Sequence, residues 1–346
     1  MEKTRHFIAK LVQMKPEDSK RRESYAVERR FYDHPDLADW FRVQHGLSMP
    51  KLVAGDRDGK AAYQNVCWIM NDLRDSFPIQ VPSLSVMQAK AALSWLAKFH
   101  ALGWKDEQHV AWKQSVLHAR GGFWTIAPTA GQATINTQQL PSQWKTGLQK
   151  LVTEGWLEAS DHSRLLKMGQ RLQVLCQALP EFLHQQCKQY GTWIHGDFKA
   201  ANMLFQETDK IDMEGDLSSC VGVVDFQFTG WGVCAEDVAY LLYPDAQGSL
   251  LEFVDELLDH YHEQLITNIM ILMKGGPSSI SREALTKLFD LSIIDMTRYW
   301  LSKGWEGTTE GEAHMILRME QTVNAIADAN GLGSKEDCLQ ALQSYL

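Results

Sequence analysis

The sequence predicts an α+β fold of two lobes, with a small lobe over residues 1–74 and a large, mainly helical lobe over residues 75–346. The first 74 residues hold short apolar runs and one helical pattern, and residues 75–83 form a connector that contains two prolines. Beyond the connector, apolar residues recur mostly at helical intervals. The length of 346 residues is also typical of two domains.

The large lobe has helical spacing in most of its segments. The predicted helices are Ser85–Leu102, Ser142–Val152, His162–Cys187, Leu250–Lys274, Ser281–Lys303, Glu312–Ala329 and Lys335–Tyr345. Gly275-Gly276-Pro277 and Asn330-Gly331 are typical helix stops, and Ser334 is a predicted N-cap. Two short strands are predicted at Met203–Phe205 and Val221–Val224, and the polar residues 206–220 between them are predicted to be exposed, with no direct role.

Composition limits the kinds of partner and compartment. The chain is 45% hydrophobic and 22% charged, as in soluble globular proteins, and its net charge is −9. The negative charge argues against nucleic acid or an anionic membrane as the main partner. Six cysteines without CxxC spacing indicate reduced thiols, and the sequence shows neither a signal peptide nor a membrane-spanning run. We therefore expect a cytoplasmic protein; the sequence does not indicate an oligomeric state.

Three oxygen-bearing side chains form the most informative pattern in the chain. Asp197 and Asn202 lie five positions apart in the predicted loop 194–202, and Asp225 follows the apolar run in segment 221–227. Phosphoryl transfer requires an oriented acceptor hydroxyl and neutralised phosphate charge. Asp197 suits the first task, as a base, whereas Asn202 and Asp225 suit the binding of Mg²⁺. The pattern therefore predicts a phosphotransferase.

The motifs HGDFKAAN at 195–202 and VVDFQ at 223–227 resemble those of small-molecule kinases with a protein-kinase-like fold. This group includes aminoglycoside phosphotransferases, choline kinases and ecdysteroid-kinase-like proteins, and the DFQ form is most similar to the last. The resemblance implies that Asp197 is the catalytic base and that Asn202 and Asp225 bind the metal. It also implies ATP and Mg²⁺ as cofactors, and a hydroxylated small molecule as the acceptor. In the family the acceptor lies between the catalytic loop and the C-terminal helices, which implies as acceptor-site candidates Trp231, Asp295, Arg298 and Trp300. Asp237 is expected to tie down the catalytic loop, and His195 to brace it.

The same resemblance extends into the small lobe. His6–Val12 is similar to the strand whose lysine holds the α- and β-phosphates, which implies this role for Lys10. Ser24–Tyr32 is similar to the helix whose glutamate pairs with that lysine, which implies Glu28. Two further strands are implied at Met49–Val53 and Cys67–Leu73. The second leads into the adenine-binding hinge, whose implied contacts are Met70, Asn71 and Asp72.

Other interpretations of these residues remain open from the sequence alone. Phe7, Ile8, Leu11 and Val12 also fit one face of a short helix, which would make Lys10 a solvated lysine. Glu28 lies among several arginines, so an ordinary surface ion pair is an alternative for it. Lys199 suits charge neutralisation at the γ-phosphate, and it equally suits a solvated loop.

The N-terminal region departs from the pattern of the family. Only nine residues precede Lys10, and none of them is a glycine, whereas the family has two strands and a glycine-rich loop before this lysine. We expect upstream coding sequence for about 30 to 60 more residues, since a lysine strand without neighbours would expose an unpaired edge. The alternative is a reduced lobe that binds nucleotide weakly or not at all. In that case the chain would be a non-catalytic, pseudokinase-like binding or regulatory protein.

Overall fold

The computed structural model describes residues 6–13, 21–34, 37, 39–55, 65–105, 116–125, 137–207, 215–243, 249–272, 279–305, 309–330 and 333–346. Strands and one long helix make up the described N-terminal part, and helices dominate after residue 85. The predicted α+β fold, with a small lobe and a large helical lobe, is confirmed. The division at residue 74 stays a prediction, as does the helix stop at 275–277, which lies outside the described residues.

The small lobe is built on a three-stranded antiparallel sheet. Its elements are β1 (Phe7–Gln13), α1 (Arg21–Asp33), a π-helical turn (Trp40–Gln44), β2 (Leu52–Gly55) and β3 (Asn65–Asn71), and the strand order is β1-β3-β2. Side chains alternate along β1, so Phe7 and Leu11 are exposed while Lys10 lies opposite Trp68 of β3. Lys10 therefore lies on a strand, and the helical alternative for it is wrong.

One small-lobe strand starts later than predicted. The sequence predicts a strand over Met49–Val53, whereas β2 spans Leu52–Gly55. Pro50 has no N–H group to donate to a sheet, which explains why pairing with β3 begins only after it.

The large lobe contains most of the helices. They are α2 (Val86–Gly103), α3 (Leu140–Thr153), α4 (Ala159–Leu165), α5 (Met168–Tyr190), α6 (Cys234–Leu242), α7 (Ser249–Glu252), α8 (Val254–Leu272), α9 (Arg282–Ser302), α10 (Glu310–Asn330) and α11 (Lys335–Tyr345). Ser85, Ser281 and Ser334 each accept a hydrogen bond from the backbone N–H three residues later, and so cap α2, α9 and α11. The predicted N-cap at Ser334 is confirmed.

Two predicted helices are each divided in the structure. The segment 162–187 forms α4 and α5 with a turn between them, and the segment 250–274 forms α7 and α8. At the second break, the N–H of Phe253 donates to the carbonyl of Leu250, which is the tighter i to i−3 bond. Such a turn barely shifts the helical period, so the apolar spacing of the sequence continues through it.

Two antiparallel ribbons hold the central loops of the large lobe. β5 (Met203–Phe205) pairs with β6 (Val221–Val223), and β4 (Gly191–Ile194) pairs with β7 (Gly230–Val233). The first pair was predicted and the second was not, because four-residue strands rich in glycine show no clear alternation. β4 ends at the loop 194–202 and β6 ends just before Asp225, so both motifs start from a sheet.

The polar segment 206–220 is less exposed than the sequence predicts. Its described part includes a 3₁₀ turn at Leu217–Cys220, in which Ser218 and Cys220 are buried. The prediction of an exposed excursion is therefore wrong for these residues. The turn packs against α2 and leads into β6.

One hydrophobic cluster extends from α1 to α11 and joins the two lobes. At the junction, the Phe31 ring of α1 stacks on the Phe226 ring of the DFQ motif, with ring centroids 4.3 Å apart. Phe41 of the π-helical turn packs between Phe31 and Phe99 of α2. Within the described ranges, no helix is both long and apolar enough to span a bilayer.

Candidate active site

The loop after β4 brings three of the predicted site residues together. Asn202, at the end of the 3₁₀ turn Ala200–Asn202, donates from Nδ2 to the backbone oxygen of Asp197 at 2.8 Å and to its Oδ2 at 3.0 Å. The Nζ of Lys199 lies 3.1 Å from Oδ1 of Asp197. The two carboxylate oxygens of Asp197 therefore face an amide and an ammonium group.

Asp197 is buried, with 3% of its surface exposed. Burial raises its pKa above the ordinary value, because a charged carboxylate loses hydration, while Lys199 and His195 act in the opposite direction. A raised pKa makes this carboxylate a better proton acceptor than a solvated aspartate.

Asp237 of α6 anchors the loop from below. Its Oδ2 accepts the backbone N–H of His195 at 2.6 Å, and its Oδ1 accepts the N–H of Gly196 at 2.8 Å. His100 of α2 places Nε2 3.1 Å from the same carboxylate and bonds Tyr261 through Nδ1. Burial lowers the pKa of His100, so the ring is neutral and donates one proton to Asp237. The predicted role of Asp237 in tying down the loop is confirmed.

We expect Asp237→Asn to destabilise the fold, by roughly 2–4 kcal/mol, because both carboxylate oxygens accept buried N–H groups and an amide can accept only on one side. The measurement is chemical unfolding of the variant and the parent. Asp161→Asn, which removes a carboxylate from an exposed pair with Arg164, is the matched control. Equal unfolding free energies for Asp237→Asn and the parent would contradict the anchoring role.

His195 links the loop to the second motif. Its ring donates from Nε2 to the carbonyl of Val224 at 3.1 Å, and the N–H of Val224 donates to the carbonyl of Asn202 at 3.0 Å. These bonds hold Asp225, the next residue, beside the loop. The bracing role predicted for His195 is confirmed.

Asp225 has a left-handed backbone, with φ of 71°. This conformation is uncommon outside glycine and is tolerated by Asp and Asn better than by other residues. It turns the chain sharply at the end of β6, just before Phe226 enters the core. Its Oδ1 accepts a hydrogen bond from Lys10 Nζ at 2.9 Å.

Lys10 connects the small lobe to this aspartate. Its Nζ also donates to Glu28 Oε2 of α1 at 2.5 Å, and it lies 5.5 Å from the centre of the Trp68 ring. Burial lowers the pKa of Lys10, but the two carboxylates outweigh this effect, so the pKa is raised overall and the ammonium stays charged. The surface-pair alternative for Glu28 is wrong, because its side chain is only 1% exposed.

Burial raises the pKa of Glu28 to about 7, although Lys10 opposes the shift. The carboxylate is therefore close to its titration point at neutral pH. Protonation would remove the negative charge that holds Lys10 on the α1 side.

A cavity of about 490 Å³ lies between the lobes. Six of the predicted residues border it: Lys10, Glu28, Met70, Asn71, Asn202 and Asp225. Asp197 and Lys199 connect to the cavity through Asn202. The structure thus brings the phosphate, metal and base candidates to one place.

Asp72 does not border this cavity. Its carboxylate binds the Arg74 guanidinium through both oxygens, and its pKa is lowered mainly by these hydrogen bonds. The N–H of Asp72 donates to the carbonyl of His6, and that of Asn71 donates to the carbonyl of Lys51. An adenine ring in this part of the cavity would therefore contact side chains such as Met70 rather than the N–H groups of Asn71 and Asp72.

Four residues expected from the sequence near the acceptor, Trp231, Asp295, Arg298 and Trp300, have different environments. Asp295 and Arg298 are buried and bonded to each other at 2.8 Å, and Asp295 also accepts from the indole of Trp124. Trp231 packs edge-on against Trp193. Trp300 is half-buried, with its ring 6.3 Å from that of Phe123, whose N–H donates to the carbonyl of Gly196 in the loop after β4.

Sequence reasoning missed some residues that shape the site. The side chain of Gln80 borders the cavity and donates to the carbonyl of Ala201, and the Trp68 ring lies beside Lys10. Alternation along β3 is a signal that predicts an inward-facing Trp68. No local pattern predicts the Gln80 contact, because the two residues are 121 positions apart.

Comparison with known proteins identifies one family and several distant structures. The model of the ecdysteroid kinase-like family matches residues 1–273. An aminoglycoside phosphotransferase from Streptomyces rimosus, solved with ADP and streptomycin, is 12% identical, with 87% of this chain and 86% of that chain covered and a TM-score of 0.41. An amicoumacin kinase in complex with AMP-PNP and Ca²⁺ is 13% identical, with 92% and 81% covered and a TM-score of 0.46. A choline kinase from Cryptosporidium parvum is 12% identical, with 91% and 82% covered and a TM-score of 0.44. No curated protein matches the chain in sequence.

Proposed function

Because the chain belongs to the ecdysteroid kinase-like family and has the two-lobed, protein-kinase-like fold, we propose that it transfers a phosphoryl group from ATP to a hydroxyl of a small molecule. The observation that carries the proposal is the interlobe cavity. Lys10, Glu28, Asn202 and Asp225 all border it, and Asp197 is bonded to Asn202. These residues supply what phosphoryl transfer needs from a protein, namely cations, oxygen ligands and a base in one place.

Asp197 acts as the base in this proposal. It orients the acceptor hydroxyl and takes its proton, a role that its raised pKa supports. The Nζ of Lys199 lies 3.1 Å from Oδ1 of Asp197, and in this proposal it offsets the negative charge of the γ-phosphate. Asn202 borders the interlobe cavity, and Asp197 lies behind it as seen from that cavity. An acceptor bound to Asp197 would therefore approach from the side opposite a nucleotide in the cavity.

The donor atoms of Asp225 and Asn202 fit Mg²⁺. Both offer hard oxygen ligands at the edge of one cavity, and the Asn202 amide is oriented by its N–H bonds to Asp197, so its oxygen points away from that carboxylate. In the described part of the chain, no three His, Cys, Asp or Glu side chains form a cluster for a metal. Two protein ligands are enough for Mg²⁺ when phosphates and water complete the shell. Bound Mg²⁺ would neutralise charge on the phosphates.

Lys10 is the phosphate-holding cation in this proposal. Glu28 keeps it in position from α1, and its second partner, Asp225, is the carboxylate that the metal would use. Binding of nucleotide and metal would therefore replace the Lys10–Asp225 pair with Lys10–phosphate and Asp225–metal contacts.

A thermal-shift measurement with ATP and Mg²⁺ tests nucleotide binding. A ligand that binds the folded state at about 100 times its Kd stabilises it by about 2.7 kcal/mol, which gives a clear rise in Tm. We expect this rise, together with ADP formation when a panel of hydroxylated metabolites and antibiotics is added. The absence of both effects would favour the non-catalytic, pseudokinase-like alternative.

The raised pKa of Glu28 predicts that ATP affinity and folding stability both change near neutral pH, in opposite directions. As pH falls from 8 to 6, Glu28 takes up a proton near pH 7, Lys10 loses the negative charge that holds it from α1, and the affinity for ATP should fall. Folding stability should change in the opposite direction. The pKa of Glu28 in the folded protein lies above its ordinary value of 4.5. The stability that Glu28 contributes is therefore fully present below pH 4.5 and is lost as pH rises through about 7.

Glu28→Gln is the matched variant for this prediction, because it keeps the side-chain shape and cannot titrate. ATP affinity, measured by calorimetry across this pH range, should vary more in the parent than in Glu28→Gln. Titration of ATP itself affects both proteins equally. Identical pH profiles would contradict the role of Glu28.

A further inference from the structure

Arg30 of α1 bonds to the large lobe at a point outside the interlobe cavity. Its Nε donates to the backbone carbonyl of Val116 at 2.9 Å, and Val116 is buried in the hydrophobic cluster that joins the lobes. Its Nη2 donates to Oε1 of Glu23 at 2.5 Å. Glu23 lies seven residues before Arg30, which is about two helical turns, so both side chains are on one side of α1. The proposed phosphoryl transfer assigns no role to Arg30.

Glu28 and Arg30 project from nearly opposite sides of α1. They are two residues apart, which separates their side chains by about 200° around the helix axis. On one side Glu28 bonds to Lys10 of β1, and on the other Arg30 bonds to Val116. A rotation of α1 that broke the Arg30 bond would therefore also move the Glu28 carboxylate relative to Lys10.

The segment that accepts the Arg30 bond is itself fixed to the backbone after Asp225. The N–H of His118 donates to the carbonyl of Thr229 at 3.1 Å, and its ring donates from Nε2 to the carbonyl of Gln227 at 3.0 Å. Burial lowers the pKa of His118, so the ring is neutral and carries its proton on the nitrogen that faces this carbonyl. Arg30 thus links α1 to the segment that follows the metal candidate.

The Arg30 bond adds a directional constraint to the packing of α1. The Phe31–Phe226 stack also holds this helix on the large lobe, but apolar burial is non-directional and tolerates some rotation of the helix. A hydrogen bond weakens steeply when its angle changes. We propose that Arg30 is a positioning residue, which sets the rotation of α1 so that Glu28 reaches Lys10; the inference rests on the proposed function, because it concerns the binding of ATP.

The first test is calorimetry with ATP and Mg²⁺ on Arg30→Met, which removes the donors and keeps an apolar stem. The Kd for ATP should rise about 3- to 10-fold, the equivalent of one hydrogen bond. Arg30→Lys keeps a donor for the carbonyl of Val116 and should recover part of the affinity. Arg29→Met is the matched control, since it removes the same charge from the same turn of α1. Within the described residues, the Arg29 side chain makes no hydrogen bond or ion pair, so its Kd should stay within about 2-fold of the parent.

Repeating Arg30→Met in a Glu28→Ala background distinguishes positioning from a general loss of charge or stability. If Arg30 acts through Glu28, its replacement should have little further effect on ATP affinity once the Glu28 carboxylate is absent. A purely structural role predicts the same weakening in both backgrounds. Equal factors in the two backgrounds would overturn the proposal.

A measurement without nucleotide separates the positioning of Lys10 from the proposed function. Burial lowers the pKa of Lys10 and the nearby Glu28 raises it, so a carboxylate that moves away leaves more of the neutral, reactive amine. Acetylation of Lys10 by acetic anhydride, followed by mass spectrometry, should be faster in Arg30→Met than in the parent and unchanged in Arg29→Met. A parent that bound no ATP would contradict the proposed function, and the acetylation rates would then decide the role of Arg30. Equal acetylation rates in Arg30→Met and the parent would overturn that role.

Discussion

Replacing Asp197 with alanine is expected to lower kcat by about 10³-fold or more, while ATP affinity stays close to that of the parent. The rate should fall because the substitution removes the carboxylate that bonds to Asn202 and Lys199, and general-base catalysis contributes typically 10²–10⁴-fold. Affinity should remain because Asp197 does not border the interlobe cavity. Steady-state kinetics with an acceptor found in the screen, and calorimetry with ATP and Mg²⁺, measure the two quantities.

Asp197→Ala also removes one of the hydrogen bonds that hold Asn202, so the result depends on whether Asn202 keeps its position. Its amide also donates to the backbone oxygen of residue 197, which the substitution retains, so we expect Asn202 to keep its orientation. Asp197→Asn provides a second control, because it keeps the shape of the side chain but cannot accept the proton. If either variant retained the kcat of the parent, the assignment of Asp197 as the base would be wrong.

Replacing Asp225 with asparagine is expected to remove most Mg²⁺-dependent activity, with kcat/KM lower by about 10³-fold, or roughly 4 kcal/mol. Asparagine tolerates the left-handed backbone at this position, so the turn after β6 should persist. The neutral side chain, however, is a much weaker ligand for Mg²⁺, and Lys10 retains only Glu28 as a partner. Titration of Mg²⁺ at fixed ATP, followed by Tm and by rate, measures the effect.

The distinctive result would be a change in metal dependence. In the parent, we expect the ATP-induced rise in Tm to increase with Mg²⁺; in Asp225→Asn, it should be nearly independent of Mg²⁺. Asp161→Asn removes the same charge from the surface of α4 and should behave as the parent. An unchanged Mg²⁺ requirement in Asp225→Asn would remove this residue from the proposed metal site.

Much of the site could be predicted because its residues are close in sequence or follow a regular strand. Asp197, Lys199 and Asn202 lie within six residues of one another on one loop, so their contact depends on local geometry. Asp225 follows a strand that pairs with the strand after that loop, which fixes its approach. Lys10 was predicted only through the resemblance of His6–Val12 to the lysine strand of the family, because Phe7, Ile8, Leu11 and Val12 fit a short helix as well as a strand.

The parts that could not be predicted depend on contacts between distant segments. The Phe31–Phe226 stack joins residues 195 positions apart, and neither ring stands out in its own segment. The engagement of the N–H groups of Asn71 and Asp72 depends on how β3 pairs with the segments on either side. The burial of Ser218 likewise depends on α2, which packs over a segment whose composition is typical of an exposed loop.

The shared core at Phe31, Phe41, Phe99 and Phe226 has a consequence for how the chain can be divided. A fragment cut at the connector would expose these rings on both pieces, and neither piece would retain a closed apolar interior. The lobes are thus units of architecture but not of folding. Heat or denaturant should melt them in a single cooperative step, and separately expressed halves should aggregate unless they are produced together.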